Sequence, residues 1–530
     1  MTILNIRSLA SLVTNNQYIR RKRVFISVPR GLPDINFISF TTDHWSALNK
    51  DQFMSLTAHC TFDNFEQQAV VLHTEPMNIS HTGLNINETM NKMITEFDIP
   101  KYKVHNIVHD NCSNMVVGID KTSEYDSLPC FIHTTQLCIE DCVLSQRSVI
   151  DIIAKCKTLA SHFSRSIPSL HKLESIQVLL GYPKLRLITD VITRWDSKYL
   201  MISRTLDMRR ELVIYINENN FATSFSPNEW DLMEKLVTLL KAFHQVTKSM
   251  SERYANSSQI IPQTKVLKYF VKDTVTKLNL TGLGTTLDSL EKSFKTRLGK
   301  YLENENCILA TYLDPKFKFS AFKDEDPQSI RGKEAIQLLV IEKYIQYESD
   351  KKQYEDEKRG GDSPMEDHPI NVSQISQCDF SGFPTEEDKD KEKGSDINQI
   401  YDMLFSEPDS NPMTVAGGSS SAAGSSTVTA SRLRLQNEME CYNTLTKLDK
   451  NGNSFEWWKQ HKLQLPLLSM LASKYLSSPP SSVESERTFS IGGNVVTRNR
   501  NRLRADNTEK LIFLNANLPL LPSLDYTKYY

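Results

Sequence analysis

The ten residues Ser481-Ser482-Val483-Glu484-Ser485-Glu486-Arg487-Thr488-Phe489-Ser490 are the most informative stretch of the chain. Pro479 and Pro480 come directly before it and prevent an earlier helix from running into it. Ser481 is suited to cap a new helix, with Glu484 as its capping-box partner. The pattern therefore predicts a helix whose first turns carry the carboxylate of Glu486.

Far upstream, residues 35–194 mix strand and helix patterns. An apolar run over residues 35–40 ends at Thr41-Thr42-Asp43, and β-rich segments at 53–62 and 69–72 complete a predicted three-stranded meander. A helix is expected over residues 85–97, and residues 104–110 read as a fourth, buried strand that ends on Asp110. Helical spacing then runs from residue 133 to about 163. This order predicts an α/β sheet domain with active groups at strand ends.

The remaining chain divides by composition. Apolar residues recur at three and four positions from residue 195 to about 347, which indicates a helical block. An acidic stretch and a Gly/Ser-rich run follow, a composition typical of disordered linkers. The predicted divisions are a short N-terminal segment (1–34), the sheet domain (35–194), a helical insertion (195–347), a disordered linker (348–434) and a helical C-terminal region (435–520).

Composition limits the classes of partner. The 62 basic and 64 acidic residues give a net charge of -2, so any contact with nucleic acid must rest on local basic patches. Nine cysteines without a CxxC pair do not suggest a disulfide framework and fit a reducing compartment. No run of about 18 apolar residues occurs, so no membrane partner is expected.

Three acidic residues are candidates for chemistry: Asp43, Asp110 and Glu486. Phosphoryl transfer by two metal ions needs such carboxylates, because Mg²⁺ and Mn²⁺ prefer oxygen ligands. An Asp at a strand end is more often a turn or helix cap, so position alone favours the structural interpretation. The sequence motifs around the three acids favour metal binding over the structural interpretation.

Two of these acids lie in motifs of a known family. Ile38-Ser39-Phe40-Thr41-Thr42-Asp43-His44-Trp45-Ser46 resembles the first-strand motif of hAT transposases, in which the first catalytic Asp stands two residues before a Trp. Ile107-Val108-His109-Asp110-Asn111-Cys112-Ser113-Asn114-Met115 resembles the second-acid motif of the same family.

Further elements follow in the family's order. Cys130-Phe131-Ile132-His133 resembles its Cys-x-x-His element, and Thr193-Arg194-Trp195 resembles the Arg-Trp motif that opens its helical insertion. The segment from Trp457 to Asn515 resembles the hAT C-terminal dimerisation region, with Glu486 as the third acid. The resemblance implies an RNase-H-like mixed sheet domain interrupted by an all-helical insertion and closed by a helical dimerisation segment.

The resemblance also implies roles for individual residues. The catalytic and metal-binding acids would be Asp43, Asp110 and Glu486, with Mg²⁺ or Mn²⁺ as the cofactor of an active enzyme. Site support would come from Trp45, Asn111, Cys130, His133 and Arg487. Nucleic acid would contact Arg194 and Trp195. Independently of the resemblance, the four arginines within residues 498–504, among them Arg498, Arg500 and Arg502, suit binding to DNA phosphates.

Structural alternatives stand beside these roles. Cys130, His133, Cys138 and Cys142 suggest zinc only weakly, because three of them lie on one predicted helix; no structural zinc is expected. Trp195 is equally suited to be a half-buried aromatic with a snorkelling arginine beside it. The arginines of 498–504 also suit a solvated surface. The leucines at 503, 511, 514 and 518 suit either a dimer seam or a helix face packed on its own domain.

Family members resemble one another in carrying a BED-type zinc finger before the first strand. Residues 1–34 contain neither Cys nor His, so no BED finger is expected there. The basic run at 20–23 suits a nuclear import signal, a phosphate-binding patch or, more often, a solvated turn.

Three functions remain open. The preferred one is a domesticated protein, derived from a transposable element, that acts in the nucleus, homodimerises or forms a higher oligomer through its C-terminal region, and binds DNA. The second is an active Mg²⁺-dependent DNA transposase that cleaves and transfers strands. The third is a non-catalytic protein-interaction scaffold.

Overall fold

The computed structural model describes residues 35–97, 99–121, 124–191, 194–278, 284–323, 332–359, 396–405, 426–497 and 502–517. Within these ranges the fold is mixed α/β and mostly helical, with one five-stranded sheet. The strands are β1 (Ile35–Ser46), β2 (Gln52–Phe62), β3 (Gln67–Pro76), β4 (Val104–His109) and β5 (Asp126–Pro129).

The sheet has the strand order β3-β2-β1-β4-β5. The first three strands form an antiparallel meander, as the alternating and β-branched sequence predicts. β4 then pairs in parallel with β1, and β5 in parallel with β4. β4 and β5 can run parallel to their neighbours because helical segments lie before each of them, between β3 and β4 and between β4 and β5. These segments return the chain to the end of the sheet at which a parallel strand must start.

Helices occupy most of the rest. The first six helices are α1 (Gly83–Thr95), α2 (Ser113–Met115), α3 (Phe131–Ile139), α4 (Arg147–Arg165), α5 (Ile167–Leu179) and α6 (Trp195–Asp207). The next are α7 (Arg209–Glu218), α8 (Pro227–Met250), α9 (Ile260–Leu278), α10 (Gly284–Ser293), α11 (Gly299–Leu302), α12 (Glu305–Leu313) and α13 (Lys333–Arg359). The last are α14 (Asp396–Phe405), α15 (Ser426–Thr444), α16 (Ser454–His461), α17 (Pro466–Tyr475), α18 (Val483–Val495) and α19 (Ala505–Asn517). Short π-helical segments follow α2, α3 and α10, at Val116–Lys121, Glu140–Leu144 and Phe294–Leu298; 3-10 turns lie at Lys101–Lys103, Ser257–Gln259 and Lys318–Phe322.

Three details differ from the sequence-based expectations. β1 continues past residue 40 to Ser46, because its second half stays paired with β2. The range 348–434, predicted as a disordered linker, contains the end of α13, all of α14 and the start of α15. The capping box of Ser481 and Glu484 does not form: α18 begins at Val483 and its N-cap makes no side-chain hydrogen bond.

The C-terminal helices complete the sheet domain. Apolar side chains of α18 and α19 pack with Phe53 and the partly buried Trp45 of the sheet. At the edge strand, the Asn517 amide accepts a hydrogen bond from the Val71 N–H at 3.1 Å and donates to the Val71 carbonyl at 2.7 Å. This side chain satisfies backbone groups that an edge strand otherwise leaves open. The C-terminal region is therefore a structural part of the sheet domain, although Asn517 lies 446 residues after Val71 in sequence.

No helix in the described part of the chain is both long enough and apolar enough to cross a membrane.

Candidate active site

The register of β1 and β4 places Asp43 and Asp110 together. Thr41 on β1 is the parallel partner of Val108 on β4, and each acid lies two residues beyond its member of that pair. Side chains two residues apart in a strand point to the same face, so both carboxylates leave the sheet at the same level. Asp43 is still within β1, not at its end as predicted, whereas Asp110 directly follows β4 as predicted.

The segment before α18 brings the third acid to this point. Ser477 shares a 2.8 Å hydrogen bond with Ser39 of β1, and Asn106 of β4 donates to Ser478 at 2.9 Å. The Phe131 N–H then donates to the carbonyl of Pro480 at 3.0 Å. These contacts hold the segment across the two strands that carry the first two acids.

The first turn of α18 is fixed to the same strands. The buried hydroxyl of Ser485 donates to the Thr41 hydroxyl at 3.3 Å. Glu486 is the next residue, so its side chain emerges beside the Asp43 end of β1. The sequence-based prediction that Glu486 lies in the first turns of a helix is confirmed.

The electrostatics of Asp43 reflect this convergence. Burial and the negative charges of Asp110 and Glu486 raise the pKa of Asp43 to about 8, although its carboxylate accepts a 2.7 Å hydrogen bond from the His44 N–H. Burial also raises the pKa of Glu486, and the nearby guanidinium of Arg194 acts in the opposite direction. Burial lowers the pKa of His44 to about 4, so its imidazole adds no positive charge at neutral pH. Asp43 therefore keeps its proton at neutral pH in the metal-free protein, because burial and the two neighbouring acids oppose its ionisation.

This arrangement fits a hard divalent cation. The donors are carboxylate oxygens, and their mutual repulsion is what a cation would relieve. The three acids do not form a closed ligand set: the described residues contain one trio of metal-ligand side chains within 4.8 Å of one another, and it lies elsewhere. Closing the three acids around one ion therefore requires a movement of at least one of their side chains.

Trp45 supports α18 through a close contact with a glycine. Its ring stacks on Phe53 at a 5.3 Å centroid distance and on Phe489 of α18 at 5.9 Å. A β-carbon on Gly492 would lie 2.8 Å from the Trp45 ring. Only glycine allows α18 to approach this closely, so Trp45 and Gly492 together set the position of Glu486.

The other predicted support residues connect neighbouring elements. Asn111 donates to the Thr134 hydroxyl at 2.8 Å, and the Cys130 sulfur caps α3 by accepting from the His133 N–H at 3.4 Å. The same sulfur accepts from the Ser482 N–H at 3.4 Å. Arg487 pairs with Glu484 and donates to the Ser251 carbonyl at 2.8 Å.

The predicted nucleic-acid contacts have different outcomes. Arg194 is 58% exposed and lies 3.7 Å from the Glu486 carboxylate. Trp195 is 2% exposed, so its ring offers no face to a base in this conformation, and the predicted stacking role lacks the exposure it needs. Arg502 is exposed at the turn before α19, whereas Arg498 and Arg500 lie outside the described residues.

Two groups of positioning residues were missed by the sequence analysis. The serines of 477–485 bind the sheet, and Gly492 admits the Trp45 ring. A run of small hydroxyl residues around two prolines is the signal for the first group, since such side chains can bond to a strand without filling space. A glycine inside a helix is the signal for the second.

The leucines considered for a dimer seam also have a clear position. Leu511 and Leu514 are buried against the sheet of their own chain, and Leu503 is partly buried there. Leu518 lies outside the described residues. The interpretation as a face packed on its own domain holds for Leu511 and Leu514.

Family models match the sheet domain, the helices that follow it and the C-terminal region separately. The hAT family C-terminal dimerisation region matches residues 435–518. The ZBED1 RNase-like domain matches residues 41–124, and the ZBED1 RNase-like helical domain matches residues 128–239. Asp43 and Asp110 thus lie in the RNase-like match and Glu486 in the dimerisation match.

Similar whole proteins are of two kinds. Zinc finger BED domain-containing protein 4 of Homo sapiens is 26% identical over 91% of this chain and 38% of its own length. Zinc finger BED domain-containing protein 6 of Mus musculus is 24% identical over 82% of this chain and 42% of its own length. The putative AC transposase of Zea mays is 22% identical over 89% of this chain and 56% of its own length. The chain therefore spans less than half the length of these two BED relatives. With its dimerisation region and RNase-like domains matched, and with relatives of both kinds along most of its length, the chain is a protein of the hAT/BED type.

Proposed function

We propose that this transposase-derived protein acts in the nucleus as a homodimer that binds DNA at the face carrying Asp43, Asp110 and Glu486. The single observation that supports the proposal is the position of Glu486. The C-terminal region holds it beside the sheet, close enough for its charge to act on Asp43. A site that combines converging carboxylates with an exposed arginine suits a phosphodiester, because metal ions and guanidinium groups both bind phosphate oxygens. In this proposal the helical block of 195–347 is an insertion that divides the RNase-H-like domain.

The basic groups around the acids support the DNA part of the proposal. Arg194 and Arg487 have side chains that are 58% and 45% exposed. Both lie within the electrostatic reach of Glu486. Such contacts to the phosphate backbone hold a duplex without reading its sequence.

The relatives support the nuclear and dimeric parts. Their names include BED zinc finger proteins, transposases and a putative transcriptional regulator of Talaromyces stipitatus, all of which suggest action on DNA. The matched dimerisation region supports self-association.

The proposal is tested by titrating a fluorescent duplex with the full chain and measuring anisotropy at several salt concentrations. We expect binding whose logarithmic affinity falls linearly with the logarithm of salt, because counterions are released from DNA. Absence of binding at low salt would overturn the proposal and favour the scaffold function.

Phosphoryl transfer on DNA is a second candidate function, favoured by the raised pKa of Asp43. Asp43, Asp110 and Glu486 would hold Mg²⁺ or Mn²⁺, which when bound stabilises charge on the attacking and leaving oxygens. Arg194 would neutralise charge on the phosphate. The buried serine contacts would keep Glu486 near the aspartates while its side chain turns from Arg194.

Incubation of the full chain with nicked and duplex DNA in Mn²⁺ tests this candidate. Asp43→Asn, Asp110→Asn and Glu486→Gln are each expected to abolish cleavage, whereas Glu456→Gln, which changes an exposed residue of α16 that pairs with Lys459, retains it. Cleavage that persists in the Asp43→Asn protein would exclude this site as its source.

A further inference from the structure

A second cluster of metal-binding side chains lies where α19 crosses the edge strand β3. His73 and Glu75 are on β3, and Glu509 is on α19. The Nδ1 atom of His73 lies 3.6 Å from Glu509 Oε1 and 4.0 Å from Glu75 Oε2. One ligand atom from each residue lies within 4.8 Å of the other two.

These separations suit donors around a shared ion. Metal–nitrogen and metal–oxygen bonds of about 2.0–2.2 Å place two tetrahedral ligands roughly 3.4 Å apart. The observed 3.6 and 4.0 Å are slightly longer, so small rotations of the two carboxylates close the set around a cation. His73 is only 3% exposed and Glu509 12%, which protects the ligands from bulk water.

The surroundings of the histidine provide a second, independent indication. The other ring nitrogen of His73, Nε2, lies 3.0 Å from Glu96 Oε2, although the direction of this contact is not that of an ideal hydrogen bond. Histidines that bind metals usually place their second nitrogen against a carboxylate, which orients the ring. Here the ring is placed in that way, with Nδ1 toward Glu75 and Glu509.

Glu75 has the same two-sided arrangement. Its Oε2 faces His73, while its Oε1 accepts a 2.7 Å hydrogen bond from Lys92. The Lys92 contact therefore holds Glu75 with its other oxygen toward the histidine.

A β-bulge contributes to the geometry. Leu56 pairs with His73 and Thr57 pairs with Val71, so β3 has one extra residue directly before the histidine. Bulges redirect the side chains that follow them. Val71, on the other side of the bulge, is the residue that Asn517 of α19 binds.

We propose that His73, Glu75 and Glu509 form a binding site for a divalent transition-metal ion of the Zn²⁺ or Co²⁺ type. One imidazole nitrogen with two carboxylates suits such ions better than Mg²⁺, which takes oxygen ligands. The ion fastens α19 of the dimerisation region to the sheet edge, beside the Asn517 contact. This departs from the expectation of no structural zinc, which rested on the cysteines.

Co²⁺ titration of the full chain, followed by visible absorption and displacement with Zn²⁺, tests the proposal. The Asp43→Asn, Asp110→Asn background removes the acid site as a competitor. In that background we expect Glu509→Gln and His73→Asn to lose one bound Co²⁺ equivalent relative to the parent. His171→Asn and Glu124→Gln, which change exposed residues elsewhere, should keep it.

Glu509→Gln is nearly isosteric, and circular dichroism verifies that it folds. A chelator should lower the melting temperature of the parent but not of Glu509→Gln. Equal Co²⁺ stoichiometry in the parent and in Glu509→Gln would overturn the proposal. So would a parent that binds no Co²⁺ while His73→Asn loses thermal stability without metal, since His73 would then act as an imidazolium among carboxylates.

Discussion

The guanidinium of Arg194 lies 3.7 Å from the carboxylate of Glu486 and draws the third acid toward the helical block. Arg194 immediately precedes α6, and Glu486 belongs to the C-terminal region, so the pair joins two distant parts of the chain. The Arg194 side chain is 58% exposed and that of Glu486 is 42% exposed. A phosphate that approaches the acids would compete for the same guanidinium.

Arg194→Ala should weaken DNA binding at low salt and reduce the slope of log affinity against log salt by about one, because one phosphate contact is lost. Anisotropy titrations measure both quantities. Arg209→Ala is the matched control, since Arg209 is also exposed and pairs with Glu234 at 2.9 Å in the helical block. An unchanged salt slope in Arg194→Ala would remove Arg194 from the DNA contact.

Asp43→Asn should alter the pH dependence of stability in the metal-free protein. The pKa of Asp43 is raised to about 8, whereas an unfolded Asp titrates near 4, so the native state retains a proton that the unfolded state loses. Stability from this group is complete below about pH 4 and is lost as pH rises through about 8.

Urea unfolding in EDTA measures this effect. The variant and the parent should be equally stable near pH 4, and the variant more stable by about 5 kcal/mol at pH 8.5, because the pKa of Asp43 rises from about 4 to about 8 on folding and each pH unit between them costs about 1.4 kcal/mol. Identical pH profiles would mean that Asp43 is not held among negative charges.

Gly492→Ala and Gly493→Ala form a matched pair in α18. A β-carbon at 492 would meet the Trp45 ring at 2.8 Å, whereas one at 493 meets nothing within 4 Å. The first substitution should lower the melting temperature and displace Glu486, and the second should be neutral or stabilise by about 0.5–1 kcal/mol. Thermal unfolding tests both. Equal effects would contradict the role of Gly492 in seating α18.

Leu463→Glu should weaken self-association. Leu463 is 96% exposed within the matched dimerisation region, so its burial in a dimer is favourable and a charge there opposes it. Leu179→Glu is the control, because Leu179 is 85% exposed but lies outside that region. Light scattering over a concentration series should give at least a tenfold weaker dimer for Leu463→Glu alone. If neither change shifts the dimer, the interface lies on another surface.

Local pattern predicted much of the fold. The meander, the helix after it and the buried strand before Asp110 all follow from apolar periodicity, and the structure confirms them. The sequence predicted that β1 ends near Asp43. The strand continues to Ser46 because it stays paired with β2, which the hydrophobic pattern does not show. Ser481 looked like a helix cap, yet its side chain donates to the Met250 carbonyl at 3.3 Å, a contact that no local pattern encodes.

The site was predictable in its members but not in its geometry. The family motifs named Asp43, Asp110 and Glu486, whereas the pairing of Thr41 with Val108 and the serine contacts that join the acids depend on long-range packing. The burial of Trp195 has the same origin, since its ring belongs to a core cluster that joins the sheet, the helical block and the C-terminal region.

Homodimerisation and DNA binding can be measured together in one experiment. Sedimentation of a fluorescent duplex with the full chain at 50 and 200 mM salt tests both parts at once. We expect the DNA to sediment with two protein chains at the lower salt and to be largely released at the higher one. DNA that sediments alone at the lower salt, or with a single chain, would contradict this expectation.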